Sequence, residues 1–326
     1  VPDDPEHVIF VWVDALTNYI SALGGFEEGV ERYDAFWPAD VHLIGKDILR
    51  FHTVYWPTML MSAGLPLPRS VFAHGWWTIN GEKMSKSLRN VVEPNMIAAD
   101  VGRDAMRYFV LRETPLGSDG DFSHEGLVHR INAELANDLG NLLNRSLAMA
   151  RKYCGGEVPA FAEALEAEEV DREFIGLARR VRDETGALLD DLRPSKALET
   201  LWELVRGANK YIDTTAPYLL IKDPDKKRRV EEVVANFLEA LRWISLLVAP
   251  VMPDKAAEIR RQLGLGVADE AGQIARWPEE WGMLPEGLSL NPQGPLFPRI
   301  DDDKKAELLL RWQGAAEEEK TVEQDK

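Results

Sequence analysis

The hydrophobic period of this chain changes near residue 123. Downstream, Leu127, Ile131, Leu135, Leu139, Leu142 and Leu143 step by three or four, the spacing that lines one side of a helix. Amphipathic stretches of the same kind recur near residues 170–190, 195–213, 226–249 and 254–263. Helices with one apolar stripe each bury it against one another, so residues 124–265 are expected to form an antiparallel helical bundle. Upstream the pattern differs. Val8–Val13 and Val41–Ile44 are short apolar runs with β-branched residues, expected as strands buried on both faces. Ala15–Leu23 is expected as a short helix stopped by Gly24-Gly25, and Val71–His74 and Trp76–Ile79 as two more short strands. Gly45-Lys46-Asp47 leads from the second run into a helix predicted over residues 47–63, in which Pro57 removes a hydrogen bond. Strand, glycine turn and helix is the arrangement that places ligands at the carboxyl ends of a parallel sheet. The 326 residues are thus expected to divide into an α/β part, 1–123, an all-α part, 124–265, and an irregular segment with a charged terminal helix or tail, 266–326.

Bulk composition narrows the possible functions. With 45% hydrophobic residues the chain can bury a real core, and its single cysteine, Cys154, rules out an internal disulfide framework and a zinc site built from cysteine pairs. No apolar run reaches membrane-spanning length and no secretory leader is visible, so a cytoplasmic protein without membrane contact is expected. A formal net charge of −17 argues against nucleic-acid binding by the whole surface, but not against a local basic site. Residues 40–112 carry nine Lys or Arg against six Asp or Glu.

That locally basic stretch contains a loop with distinctive chemistry. After the strands at 71–79 comes Asn80-Gly81, a pair that adopts positive φ cheaply, then Lys83, Met84, Ser85, Lys86 and Ser87 without apolar periodicity. Two ammonium groups three residues apart, with two hydroxyls between and beside them, suit a pyrophosphate. A solvated hairpin tip with ordinary surface lysines would have the same composition. The order Lys-Met-Ser-Lys-Ser, however, resembles the signature loop of class I aminoacyl-tRNA synthetases. Residues 10–20 and 42–57 resemble the bacterial type of methionyl-tRNA synthetase, and the resemblance covers nearly the whole chain, most strongly residues 8–265.

The resemblance implies the second half of a Rossmann-type parallel-sheet catalytic domain, followed by an anticodon-binding helical bundle. It implies MgATP-dependent activation of L-methionine to methionyl adenylate, followed by transfer to the 3′ end of methionine tRNA. Lys83 and Lys86 would neutralise the departing pyrophosphate, supported by Ser85 and Ser87. Trp12, Ala15, Tyr19, Ile48, His52 and Trp56 would form the methionine pocket. The spacing of Ile48, His52 and Trp56 by four independently places them on one helical face, where a core stripe with one bonded histidine is the alternative. Gly45, Asp47, His74, Gly75 and Lys86 would meet ATP, with Gly75 letting the base approach the backbone; His74 could equally be a buried structural residue. Asn141 and Arg145, one turn apart on a helix, would read anticodon bases, with Asn137 on the same stripe, and Tyr218 would stack on one where many relatives carry tryptophan. Arg107 could meet phosphate or merely solvate a helix face.

The His-Ile-Gly-His-like signature that such enzymes carry near their N-terminus is absent. His42-Leu-Ile-Gly45 is only superficially similar, with Lys46 in place of the final histidine. The expected partner is therefore the N-terminal half of the same enzyme as a separate piece, and any zinc would belong to that half. A non-catalytic tRNA-binding fragment and another class I nucleotide-activating ligase are the alternatives.

Overall fold

The structure is a computed structural model that describes Glu6 and residues 12–25, 29–79, 81–84, 91–161, 168–266 and 277–322, with side chains through Trp312 and excluding that of Lys83. The chain folds into two compact units, Val1–Trp77 with Gly117–Gly120, and Thr78–Leu116 with Asp121–Lys326. This division differs from the expected boundary at residue 123, because residues 78–116 pack with the helices.

In the first unit, α1 (Trp12–Ser21) and α2 (Glu31–Phe36) precede β1 (His42–Gly45), α3 (Trp56–Ser62) and β2 (Val71–His74). Strands β1 and β2 pair in parallel, with His42 opposite Val71 and Gly45 opposite His74. The core is Leu16, Ile20, Trp37, Trp56 and Leu60, against which Trp12, Tyr33 and Met59 pack. Two expectations are corrected here. Of the predicted strand at residues 8–13, positions 8–11 lie outside the described residues, while Trp12 and Val13 open α1. Trp12, Leu16 and Ile20 step by four, so the helical period takes over before the predicted start at Ala15. The single helix predicted over 47–63 is instead a 3₁₀ turn at Lys46–Ile48, a π-helical turn at Phe51–Tyr55 and then α3. Trp56 N–H donates to the carbonyl of Phe51, five residues back. The widened turn lies just before Pro57, whose ring would clash with the carbonyl four residues earlier in a regular helix. The irregularity therefore falls upstream of the proline.

A second, short sheet has the order β4–β3–β5, formed by β3 (Trp77–Ile79), β4 (Glu82–Lys83) and β5 (Gly120–Asp121). Strands β3 and β4 form an antiparallel hairpin, with Thr78 opposite Lys83. In the second unit, α4 (Pro94–Val101) and α5 (Arg103–Glu113) precede α6 (His124–Arg130), which begins where Ser123 Oγ accepts from Gly126 N–H at 3.0 Å. A π-helical segment, Ile131–Gly140, continues into α7 (Asn141–Tyr153). Next come the helical hairpin α8 (Glu169–Asp190) and α9 (Pro194–Thr215), the single turn α10 (Pro217–Leu220), α11 (Lys227–Val248) and α12 (Pro253–Gln262). The last helix is α13 (Asp302–Val322). Every leucine and isoleucine of the series from Leu127 to Leu143 is buried, as its spacing requires. From Val233 to Val248 α11 is buried on all sides, which makes it the central rod of the bundle.

Two buried carboxylates inside this core, Glu239 and Asp171, are fully matched. Glu239, fully buried, accepts from Arg242, from Trp243 Nε1 and from the N–H groups of Gly282, Met283 and Leu284, and so pins an otherwise irregular segment to α11. Asp171 holds Arg229 bidentately at 2.6 and 2.9 Å and accepts from Tyr211 Oη at 2.5 Å. Arg107, for which phosphate contact or simple solvation was expected, instead donates to the carbonyls of Pro250 and Val251 beyond the end of α11. Among the described residues no helix is long and apolar enough to cross a membrane.

Candidate active site and anticodon face

The first unit brings the predicted pocket residues of α1 and of the 46–62 segment together. Tyr19 Oη lies 2.8 Å from His52 Nε2, and His52 Nδ1 lies 3.0 Å from the carbonyl of Ile48. A carbonyl can only accept, so Nδ1 carries the proton and Nε2 accepts from the tyrosine. Burial raises the Tyr19 phenol above its ordinary value, so it remains a donor at neutral pH. His52 is 1% exposed, and its ring is held at both nitrogens. Trp12 stacks on Phe51 with ring centres 4.1 Å apart, and its ring stands edge-on to His52 at 6.4 Å. Ala15 lies on α1 one turn from both Trp12 and Tyr19, and is exposed. Trp56 lies deeper, 2% exposed, where it supports Tyr19 from within the core rather than forming an open wall.

A cavity of about 610 Å³ opens beside Trp12, between Leu16, Phe51, Tyr55 and Met59, with Asp47 and Arg50 at its edge. Its size and its aromatic and thioether lining suit an apolar side chain of moderate length, and sulfur in particular, since sulfur–aromatic contacts contribute roughly 0.3–1.5 kcal/mol each. Sequence reasoning missed most of this lining, Leu16, Phe51, Tyr55 and Met59 among it, and also His42. Phe51 forms the stacking partner of Trp12. His42, 5% exposed, packs against Tyr19 at 4.4 Å and accepts from Trp56 Nε1 at 3.2 Å. Burial, and then the neighbouring His52, hold His42 below its ordinary pKa and hence neutral. The run 41–44, expected to be buried on both faces, instead alternates, with His42 and Ile44 buried and Leu43 56% exposed.

The residues expected to meet ATP lie where β1 and β2 end. Asp47 accepts from Trp76 Nε1, and His74 Nδ1 lies 2.8 Å from the carbonyl of Gly75. A Cβ built at Gly45 would lie 3.3 Å from Asp47 Oδ2. At Gly75 the structure supplies a further reason for glycine. Protein backbone approaches this glycine, and a Cβ there would lie 2.1 Å from the carbonyl oxygen of Ser118. The returning segment is fastened by Asp119, which accepts from Trp76 N–H at 2.8 Å and from Lys46 Nζ at 2.6 and 2.7 Å. Of the loop residues, Ser85, Lys86 and Ser87 and the side chain of Lys83 lie outside the described residues. Among the described residues no cluster of metal-ligating side chains occurs.

On the helical unit, Asn141 and Arg145 are one turn apart on α7, with Asn141 exposed. Arg145 pairs with Asp213 of α9 at 2.6 Å. Tyr218, 46% exposed, follows five residues after Asp213, beyond a break where Ala216 takes φ +43° and Pro217 starts α10. Asn137, expected on the Asn141–Arg145 stripe, falls in the π-helical segment. Its wider turn carries a residue four positions back off that line.

Two family models match this chain. Residues 1–147 match that of the class I tRNA synthetases (M), and residues 158–317 that of the anticodon binding domain of methionyl tRNA ligase. The fold, with its parallel strands followed by helices, is thus that of a class I synthetase. A methionine–tRNA ligase of Caldanaerobacter subterraneus is 47% identical over 324 residues, covering 99% of this chain and 49% of the relative. One from Bacillus anthracis is 45% identical over 329 residues, again covering 49% of the relative. A methionyl-tRNA synthetase of Mycobacterium tuberculosis, solved in complex with methionyl-adenylate, superposes with a TM-score of 0.82 at 42% identity over 92% of this chain and 58% of that one. The chain belongs to the methionyl-tRNA synthetase family and spans about half the length of the curated relatives it matches.

Proposed function

We propose that this chain supplies the second half of the catalytic domain (1–123) and the anticodon-binding part (124–265) of a methionine–tRNA ligase, acting with a segment equivalent to the rest of its relatives. The reaction joins L-methionine and MgATP into methionyl adenylate, releasing pyrophosphate, and then transfers the methionyl group to a hydroxyl of the 3′-terminal adenosine of methionine tRNA, releasing AMP. In the first step the methionine carboxylate attacks the α-phosphorus and the bond to pyrophosphate breaks. No covalent enzyme intermediate and no general base are needed, so the protein's work is positioning and neutralising charge.

The observation that carries this reading is the aromatic cavity beside Trp12, with the ring of His52 fixed by Tyr19 and Ile48. Trp12, which lines it, serves methionine together with Ala15, Tyr19, Ile48, His52 and Trp56, which do not line it. Gly45, Asp47, His74 and Gly75 serve ATP, and Lys83 and Lys86, with Ser85 and Ser87, serve the leaving pyrophosphate. Asn141, Arg145 and Tyr218 serve the anticodon. The match of residues 158–317 to an anticodon binding domain favours a second reading, a tRNA-binding piece without catalysis.

ATP–pyrophosphate exchange with each amino acid in turn, run on the protein that contains this chain, tests the proposal. Exchange with methionine alone is expected, and Lys86→Ala should slow it by about 3 kcal/mol in barrier while leaving methionine affinity nearly intact. Binding of methionine tRNA with no exchange for any amino acid would favour the second reading.

A further inference from the structure

Asp121 stands two residues beyond Asp119 and belongs to the second compact unit, as do Thr78 and Gly81. Its Oδ1 accepts from Thr78 Oγ1 at 2.7 Å and from Gly81 N–H at 2.9 Å. Thr78 opens the hairpin ladder opposite Lys83, and Gly81, at φ +78°, is part of its turn. One carboxylate oxygen therefore bridges the strand and the turn of the hairpin that leads into the Lys83–Ser87 loop. The backbone beside it is fixed as well, since Phe122 N–H donates to the carbonyl of Thr78 at 2.7 Å. The geometry points to Asp121 as a positioning residue for that loop, acting through the turn and register of the β3–β4 hairpin rather than by touching substrate.

The physical argument is one of register. Side chains on a strand alternate faces, so a one-residue slip between β3 and β4 would invert the face of every β4 position. β4 is an edge strand that pairs with β3 at only two positions, so that pairing alone holds its register weakly. The bridge from Asp121 fixes the distance between Thr78 and Gly81, and with it the closure of the turn. The two donors also hold the carboxyl below the usual carboxylate range, Gly81 more than Thr78, so the acceptor is fully ionised at neutral pH. Nothing in the local sequence announces this, because the residue lies 40 positions beyond the turn it holds.

The inference rests on the catalytic reading above, and two measurements separate their failures. Hydrogen exchange of the 78–84 segment reads the tie itself. Asp121→Ala should remove protection at Gly81, while Asp121→Asn, which keeps the acceptor oxygen, should retain most of it. ATP–pyrophosphate exchange in the protein that contains this chain reads the consequence. Asp121→Ala should lower kcat about tenfold or more, with the methionine KM changed by less than about twofold and an unaltered melting temperature. Asp121→Asn should stay within about threefold of wild type in kcat. Thr78→Val, which removes one of the two donors, should fall between them. Unchanged protection at Gly81 in Asp121→Ala, or a wild-type kcat in that variant, would overturn the positioning role. Wild-type protein without exchange activity would count against the catalytic reading, and the hydrogen-exchange result would still decide the tie.

Discussion

Replacing Asp171 by alanine should destabilise the helical unit by about 3 kcal/mol. The side chain is 1% exposed and takes four donors. These are the two Arg229 nitrogens, the hydroxyl of Tyr211 and the backbone N–H of Glu168, the last at 3.1 Å in the capping box that starts α8. Removing one partner of a buried ion pair costs about 3–5 kcal/mol, since the other charge stays behind uncompensated. The lower end applies here. Arg229 keeps Glu168 at 3.1 Å and Glu232 at 3.6 Å, although Glu168 is 58% exposed and replaces little of the loss. For a unit of this size, about 3 kcal/mol corresponds to a fall of roughly 6–12 °C in melting temperature. Urea denaturation followed by far-ultraviolet circular dichroism measures the energy directly. The pH dependence supplies a second check. Burial pushes the Asp171 carboxyl up, but Arg229 and Tyr211 outweigh it and leave the pKa below the ordinary carboxylate value. The folded state thus binds this proton more weakly than the unfolded chain. Its contribution is present above the ordinary carboxylate pKa and is lost as pH falls through the lower folded one. Asp171→Ala should accordingly lose part of the wild-type acid dependence. A loss below 1 kcal/mol, or an unchanged acid limb, would refute the reasoning.

Three further expectations follow from particular contacts. Arg145→Ala removes a half-exposed ion pair, so unfolding should change by less than about 1 kcal/mol, while charging of methionine tRNA falls and tRNA-free pyrophosphate exchange stays near normal. Collapse of both activities would make the residue structural. Gly75→Ala should destabilise the first unit by about 1–3 kcal/mol in thermal melts, since its methyl has no room beside the Ser118 carbonyl. His42, held neutral by burial, takes up its proton at lower pH in the folded state than in the unfolded chain, so the stability it contributes is present above about 6.5 and is lost as pH falls from there through its lower folded value. His42→Gln should flatten that slope in the melting temperature of the first unit; His124, likewise lowered by burial, contributes a slope in the second.

Apart from the fully buried part of α11, the helices were legible because each buries one side, and burial on one side writes its period into the sequence. Leu127 to Leu143 illustrate this, and the ends of α8, α9, α11 and α12 fall within a few residues of expectation. What sequence could not show depends on partners distant along the chain. One reason for Gly75 is a carbonyl 43 residues later, and Asp119 and Asp121 look like ordinary turn residues until Trp76, Thr78 and Gly81 are placed beside them. The π-helical turns were equally hidden, for no residue type demands one. Pro57 explains the first only once its clash with the preceding turn is considered. Of the pocket, the stripe of His52 and Trp56 was visible by spacing, whereas Phe51 and His42 required three dimensions to join it. The strand expected through Trp12 and Val13 failed because β-branched and aromatic residues suit a half-buried helix face as well as a sheet.

Helix α5 carries a practical consequence for anyone dividing this gene. Its Tyr108 and Phe109 are fully buried, Tyr108 lies against Trp202 of α9 with ring centres 4.6 Å apart, and its hydroxyl donates to Glu134. A clone starting at residue 124 would keep every predicted bundle helix yet leave that indole bare and that carboxylate without its phenol. Such a product should be sticky and poorly folded. Starting the clone at Thr78 keeps the missing wall, at the modest expense of carrying the hairpin along.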